Sequence, residues 1–524
     1  MTKIQLQKII KALVLAQPSS YKELAAVVRA EASQFSQPLP EKSQLLLAYH
    51  SLLKNKKIKS SSVLEKLLTK RAVRTLSGVA VITVLTKPYP CPGECLFCPT
   101  EVKMPKSYLA NEPAVMRAIL NDFDPYRQIK MRLRALKANG HKTDKVELIV
   151  IGGTWSVLDH QYQNWYIKRC FEALNGRPSK TLSTAQKINE NAKHRCIGLT
   201  LETRPDYISE KELIRMRELG CTRVELGVQH IDNKILAFNK RGHKVERSIK
   251  ALRLLKEAGF KVNLHLMLDL PTATPAKDLA MFKKIYTHSD FCPDMVKIYP
   301  CVVNEKAELY NLWKKGKYKP YSAKQLRRLL VDIKKITPEY VRITRLVRDI
   351  PKESISAGNK ITNLRQLLAD QAKDEGWVCR CIRCREVTRQ EQVKGVSNLK
   401  LNIRTYPASG GTEYFLSYES ADEKALYAFL RLRINDKINN NFIAELKGAA
   451  LIRELHTYGE LTEIGAKGDV QHLGLGKKLL KEAENIVSRK KIKKIAVIAG
   501  VGARKYYEKF GYKLEGTYMV KELS

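Results

Sequence analysis

Val79-Ala80-Val81-Ile82-Thr83-Val84-Leu85, followed by Cys91-Pro92-Gly93-Glu94-Cys95-Leu96-Phe97-Cys98-Pro99, decides how this chain folds. The first stretch is an apolar, strand-like run. Pro88, Pro90, Pro92, Gly93 and Pro99 then keep the cysteine segment a loop. Cys91, Cys95 and Cys98 fall within eight residues, enough thiolates for three irons of a [4Fe-4S] cluster, with the fourth iron left open. An open metal position is where a small molecule binds and reacts. Three thiols could instead hold zinc with a distant fourth ligand, but the strand-then-loop context favours the cluster.

The C-x-x-x-C-x-x-C spacing resembles the cluster motif of the radical S-adenosylmethionine (AdoMet) enzymes. In those enzymes the AdoMet amino and carboxylate groups occupy the open iron, and the motif follows the first strand of a barrel. The neighbouring sequence agrees. Strand-like runs recur at 79–85, 146–151, 196–201, 223–228, 262–268 and 295–299, separated by helix-like segments such as 161–174, 210–219, 245–258 and 276–286. Six parallel strands with crossover helices predict an α/β sheet, a partial (βα)6 TIM-like barrel with its chemistry at the C-terminal strand ends. Those ends carry Gly152-Gly153-Thr154, Glu202-Thr203-Arg204-Pro205-Asp206, Gly227-Val228-Gln229 and Asp269-Leu270-Pro271. Each alone could be a turn; together with the cysteine loop they converge on one face.

Further along stands Cys379-Arg380-Cys381-Ile382-Arg383-Cys384. Three thiolates at this spacing suit structural zinc, which takes four ligands. Cys301, just past the sixth strand, is the expected fourth, stapling this region to the barrel. Cys170, Cys196, Cys221 and Cys292 read as core thiols.

The C-terminal part has another pattern. A strand-like run at 449–457 precedes Gln471-His472-Leu473-Gly474-Leu475-Gly476, and a helix follows with Leu479, Leu480, Ala483, Ile486 and Val487 on one face. Strand, glycine loop and helix N-terminus present backbone N–H groups to a phosphate. Q-x-x-G-x-G resembles the pyrophosphate loop of the GNAT N-acetyltransferases, which bind acetyl-CoA. A strand at 495–499 and Tyr506-Tyr507-Glu508-Lys509-Phe510-Gly511-Tyr512 support the resemblance, which implies a tyrosine near the thioester.

Lys and Arg number 94 against 53 acidic residues, a formal charge of +41, so a nucleic-acid partner leads. Part of the excess is clustered: Lys54, Lys56, Lys57 and Lys59; Lys66, Lys70, Arg71 and Arg74; Arg127, Lys130, Arg132, Arg134 and Lys137. No apolar run approaches the ~18 residues of a membrane helix. The N-terminus starts an amphipathic helical pattern, Leu6, Ile9, Ile10 and Leu13, rather than a signal peptide. A cytoplasmic protein is expected. Eleven cysteines in 524 residues, six of them in two tight clusters, point to metal rather than disulfides.

The combination resembles the catalytic third subunit of Elongator in its bacterial or archaeal single-chain form. The segments that carry it are Asn111-Glu112-Pro113-Ala114-Val115-Met116-Arg117-Ala118, Asp144-Lys145-Val146-Glu147, Glu202 to Tyr207, Gly500-Val501-Gly502 and Tyr518-Met519-Val520-Lys521. Charge, periodicity and spacing divide the chain into four parts: a basic helical tRNA-binding module (1–74), a radical AdoMet barrel (75–320), a zinc-binding linker (321–390) and a GNAT-type domain (391–524), with the resemblance running from about Arg74 to the C-terminus. The resemblance implies formation of 5-carboxymethyluridine at wobble uridine 34 in the tRNA anticodon stem-loop. A radical from AdoMet would take hydrogen from the acetyl methyl group of acetyl-CoA; that carbon would join C5 of uracil, and the thioester would be hydrolysed.

The strand ends offer Gly152, Gly153, Thr154, Glu202 and Gln229 for the cofactor at the mouth, AdoMet on this reading. The residues implied for acetyl-CoA are Lys145, Glu454, Leu455, His456, Thr457, Gln471, Gly474, Leu475, Gly476, Lys477 and Tyr507, with Lys145 and Tyr507 nearest the chemistry. The competing reading is a protein lysine acetyltransferase with the barrel as scaffold. A homodimer and partner subunits both stay open.

Overall fold

The computed structural model describes residues 1–69, 78–387, 399–458 and 474–523. Four helices open the chain: α1 (Lys3–Ala16), α2 (Tyr21–Ser33), α3 (Lys42–Lys54) and α4 (Ser62–Leu68). Thr2 and Gln5 close a capping box on α1, and the hydroxyls of Ser20 and Ser61 cap α2 and α4. Ile9, Ile10, Leu13, Leu45, Leu46 and Leu52 form a core of their own for this module. Lys70, Arg71 and Arg74 of its basic groups lie outside the described residues.

The barrel follows. Strands β1 (Ala80–Leu85), β2 (Lys145–Ile151), β3 (Arg195–Thr203), β4 (Arg223–Gln229), β5 (Lys261–Leu268) and β6 (Met295–Pro300) pair in parallel, in sequence order. A short antiparallel pair, β7 (Val302–Val303) and β9 (Ala357–Gly358), lies beyond β6. The sheet has one strand more than expected, β8 (Arg342–Arg345), which pairs in parallel with β6 from within the region read as a connector. Arg-Ile-Thr-Arg is too short and too polar to stand out as an apolar run. β1 and β8 remain the two edges, so the sheet is an open partial barrel rather than a closed one.

The last domain is a seven-stranded sheet in the order β10-β11-β12-β13-β14-β16-β15. Its strands are β10 (Lys400–Pro407), β11 (Gly411–Glu419), β12 (Leu426–Asn435), β13 (Ala449–Thr457), β14 (Lys494–Val497), β15 (Lys513–Glu515) and β16 (Tyr518–Glu522). Pairing is antiparallel except between β13 and β14. The helix Leu475–Arg489 buries Leu479, Leu480, Ala483 and Val487 against this sheet.

The domain docks under the barrel, at the N-terminal ends of its strands. Arg453 reaches Asp294, just before β6, and the Phe260 carbonyl, just before β5. Arg431 reaches the carbonyls of Asp294 and Tyr340. The turn 500–502 rests on β3: a Cβ at Gly500 would lie 2.1 Å from the Ile197 carbonyl oxygen, and one at Gly502 would lie 2.6 Å from Arg195 Cβ. Among the described residues, no helix is long and apolar enough to cross a membrane.

Candidate functional site

The cysteine loop sits where the strands of a barrel expose their C-terminal ends. Cys91 Sγ lies 3.7 Å from Thr154 Oγ1, past the end of β2. The Leu96 N–H donates to the Asn239 carbonyl beyond β4, at 3.2 Å. Cys95 and Cys98 line an open cavity of about 380 Å³ with Glu94, Thr100, Lys106, Lys240 and Glu308. The Cys98 thiol beside it, with the Arg241 and Arg204 guanidiniums, pulls the Cys95 thiol down to about 5, against burial. A thiolate is the form that binds iron.

The surrounding groups fit a bound cofactor. Thr86 Oγ1, Gln229 Oε1, Arg204 Nη1 and His243 Nε2 are buried without a partner, and buried polar atoms are rarely left so. At Gly153 (φ +99°) a Cβ would make an ordinary contact with the Lys106 carbonyl oxygen, at 3.7 Å. At Gly152 a Cβ would fall 2.0 Å from Thr86 Oγ1. Gln229 and Asp269, at the ends of β4 and β5, hold left-handed backbones at φ 69° and 63°, costly for residues with a Cβ and frequent at ligand sites. Glu202 accepts from Tyr108 Oη at 2.8 Å and lies 3.6 Å from His265 Nδ1. The expected Cys91, Cys95, Cys98, Gly152, Gly153, Thr154, Glu202 and Gln229 thus share one mouth.

The residues expected for acetyl-CoA, Lys145 apart, lie in the C-terminal domain. β13 pairs with β12 as far as Thr457, but its paired register with β14 ends at Ile452. Beyond that point the strands part, leaving backbone groups of Leu455, His456 and Thr457 beside a wedge. The helix Leu475–Arg489 starts there on Gly474 (φ 64°), with Gly476 next to Thr457 Cγ2 and Tyr506 Oη. Free N–H groups at such a helix start, Leu475, Gly476 and Lys477 included, suit a diphosphate. Gln471 lies outside the described residues. His456 Nε2 has no partner, and burial lowers this imidazole to about 4, so it is neutral at pH 7.

Two placements refine the expectation. The Glu454 carboxylate faces the barrel, 3.0 Å from Arg431 Nε and 3.7 Å from Lys261 Nζ. Tyr507 is buried in the core of this domain, whereas Tyr506, 39% exposed, borders Gly476; adjacent tyrosines carry no sequence signal for which one faces the loop. Lys145 opens β2 and pairs with Arg195, on which the 500–502 turn rests, so it lies at the domain boundary. The two candidate cofactor sites therefore lie on different sheets, one at the C-terminal ends of the barrel strands and the other in the domain docked beneath their N-terminal ends. Between them the half-barrel is charged: Glu225 takes hydrogen bonds from Lys297 and from His265 Nε2.

Cys379, Cys381 and Cys384 converge, with their sulfurs within 4.8 Å of one another. Lys334 Nζ lies 3.7 Å from Cys384 Sγ. Cys301 does not join them. The Ile382 N–H bonds to Val341 just before β8, beneath the sheet, whereas Cys301 follows β6 at the other end and packs with Cys95, Phe97, Leu270 and Tyr318. Six residues of strand, roughly 20 Å, separate the two levels. Arg241 and Tyr108 are further residues at the mouth with no sequence signal of their own, whereas Arg204 and Tyr506 stand in expected site segments without an individual role. The first two look like ordinary surface residues in so basic a chain.

Three family models match the chain: the radical SAM superfamily at 89–284, the radical SAM C-terminal domain at 293–374 and the GNAT acetyltransferase domain at 409–522. A tRNA uridine(34) acetyltransferase of Methanocaldococcus infernus is 48% identical over 486 residues, 90% of this chain and 91% of its own length. One from Dehalococcoides mccartyi is 45% identical over 464 residues, 87% of this chain and 100% of its own. Elongator complex protein 3 of Homo sapiens is 40% identical over 478 residues, 88% of this chain and 87% of its own. The solved structure of archaeal Methanocaldococcus infernus Elp3 with an N-terminal deletion matches with a TM-score of 0.76 at 45% identity, covering 85% of this chain and 100% of that one. This chain is a radical AdoMet acyltransferase belonging to the family of the tRNA uridine(34) acetyltransferases and Elongator complex protein 3.

Proposed function

We propose that the protein forms 5-carboxymethyluridine at the wobble uridine of tRNA anticodons, in the cytoplasm. The observation that carries this is the docking of the sheet that bears the β13–β14 wedge beneath the barrel that bears the three-cysteine mouth. The activity for which the relatives are named, on tRNA uridine 34, supports the substrate. AdoMet on a three-thiolate [4Fe-4S] cluster supplies one-electron hydrogen abstraction, and acetyl-CoA supplies the two-carbon unit.

The chain's own residues position and insulate. Cys91, Cys95 and Cys98 hold the cluster. Gly152 and Gly153 let a ligand approach their backbone, while Thr154, Glu202 and Gln229 offer polar atoms to orient it. Backbone groups of Glu454, Leu455, His456 and Thr457 pair with the pantetheine arm, and Gly474, Leu475, Gly476 and Lys477 take the diphosphate. Lys145 and a tyrosine of the 506–507 pair stand nearest the thioester, Tyr506 bordering the loop and Tyr507 packing behind it. Cys379, Cys381 and Cys384 hold zinc, tying the segment after β8 to the barrel. Basic surface on the N-terminal module grips RNA phosphates.

Anaerobic reconstitution with iron, sulfide, reductant, AdoMet, carbon-labelled acetyl-CoA and tRNA, then nucleoside mass spectrometry, tests the proposal. Label on C5 of uridine supports it. Label confined to protein lysine, with AdoMet uncleaved, would mean a protein acetyltransferase instead.

A further inference from the structure

Beneath the cysteine loop lie two buried guanidiniums. Arg204 is fixed by Asp206, with Nε 3.0 Å from Oδ1 and Nη2 2.9 Å from Oδ2. Its Nη2 also donates to the Arg241 carbonyl at 2.8 Å. Arg241, 5% exposed, turns its own Nη1 to Cys95 Sγ at 3.4 Å. Its Nη2 donates to the Gly227 carbonyl, and its Nε has no partner. No described carboxylate pairs with it: Asp206, the acid nearby in this network, is taken by Arg204. The arginines of the domain interface differ, since Arg431, Arg433 and Arg453 each face an acid.

A buried cation without a counter-ion is costly, and a carbonyl does not offset it. The anion that offsets Arg241 is therefore the thiolate-ligated cluster. The placement is rigid as well, because the Leu96 N–H donates to the Asn239 carbonyl and locks the cysteine loop to the turn bearing Arg241.

We infer that Arg241 is a positioning residue that raises the reduction potential of the cluster, through its N–H to the Cys95 sulfur and its otherwise unpaired buried charge. This rests on the reading of Cys91, Cys95 and Cys98 as cluster ligands. A donor and a positive charge at a ligating sulfur stabilise the more negative, reduced cluster more than the oxidised one. Entry of the electron becomes easier.

The test uses the anaerobically reconstituted full chain, with iron and sulfide counted before a mediated potentiometric titration followed by electron paramagnetic resonance. Arg241→Gln is expected to shift the midpoint to lower potential, with Arg241→Lys falling between it and the unaltered protein. An unaltered protein that takes up no iron would defeat the cluster reading itself. A loaded Arg241→Gln protein with an unchanged midpoint overturns the inference while leaving the cluster reading intact. Should Arg241→Gln lose iron while Arg241→Lys keeps it, the need for the cation is supported. Folded forms of both variants that fail to hold iron would assign Arg241 to shaping the loop and overturn the inference.

Discussion

Arg453 closes a two-pronged ion pair on Asp294 across the domain boundary, with Nη2 2.6 Å from Oδ2 and Nη1 3.0 Å from Oδ1. Both side chains are fully buried. Arg453 Nη1 also reaches Glu413 Oε1 at 2.8 Å, and Glu413 takes Arg433 as well. Barrel and GNAT-type domain thus share a charged core that neither could bury alone. Removing one partner strands the other, which typically costs about 3–5 kcal/mol. Asp294→Ala is expected to lower the unfolding midpoint in urea by a corresponding amount.

The same pair sets an acid limit. Burial would raise the Asp294 carboxyl, but Arg453, Arg431 and Lys256 outweigh it and hold the group well below the usual carboxylate range. Its folded value lies under the unfolded one of about 3.9. The stability it contributes is full above that pH and is lost as the pH falls further, toward the folded value. Urea unfolding at a series of pH values checks this: between neutrality and pH 3, the Asp294→Asn variant should lose less stability than the parent. Equal slopes would remove Asp294 from the account.

Cys379, Cys381 and Cys384 form the metal-sized cluster with sulfurs within 4.8 Å, and Cys381 is fully buried. Bringing three thiols together in a buried site is unfavourable unless a metal holds them. Cys381→Ser is expected to remove one equivalent of zinc by elemental analysis and to lower the melting temperature. Iron uptake at Cys91, Cys95 and Cys98 should persist, because that loop lies at the other end of the sheet. Cys301→Ser should leave zinc content unchanged.

What the sequence revealed follows burial. Strands β1 to β6 each carry a buried apolar row, and they stand out with boundaries within a residue or two. β12 does not, although it lies in the middle of its sheet. Leu426-Tyr427-Ala428-Phe429-Leu430-Arg431-Leu432-Arg433 ends on two arginines that look like surface residues but are 1% and 0% exposed, neutralised by Glu454 and Glu413. Their partners come from elsewhere in the chain, so no local pattern announces them. The misplaced Cys301 has the same cause: spacing gives ligand type, whereas the two ends of a strand are separated by topology alone. At the mouth, the glycines and cysteines were legible because their chemistry is rare. Arg241 was not, in a chain with 94 basic residues.

Gly500 is placed by close approach rather than by an unusual backbone, since its φ is −67°. A Cβ there would lie 2.1 Å from the Ile197 carbonyl oxygen and 3.0 Å from the Gly198 nitrogen, both backbone atoms of β3 that cannot swing aside. Overpacking of this kind costs about 1–3 kcal/mol. Gly500→Ala is expected to shift the turn off β3 and to alter the register of the two cofactor sites. Acetyl-CoA binding by calorimetry and iron content should survive, while carbon transfer to RNA falls at least about tenfold, the rate equivalent of ~1.4 kcal/mol. A variant with normal transfer would show that the sites tolerate relative movement.

Binding of RNA is expected to be governed by salt. Lys54, Lys56, Lys57 and Lys59 are exposed at the end of α3 and just beyond. Arg127, Arg134 and Lys137 are exposed on the helix Pro125–Ala138, whose following turn packs on Leu46 of the N-terminal module. The two groups therefore belong to neighbouring elements and can follow one phosphate backbone. Six phosphates neutralised in this way make affinity fall by roughly a thousandfold between about 50 and 200 mM salt. Replacing Lys56 and Lys57 together by Gln should weaken binding for every tRNA sequence alike. It should also reduce the slope of log affinity against log salt by about 2, one unit for each phosphate no longer neutralised. Fluorescence titrations of the full chain with tRNA over that range provide the measurement. A slope near zero in the parent protein would rule out phosphate neutralisation as the source of affinity.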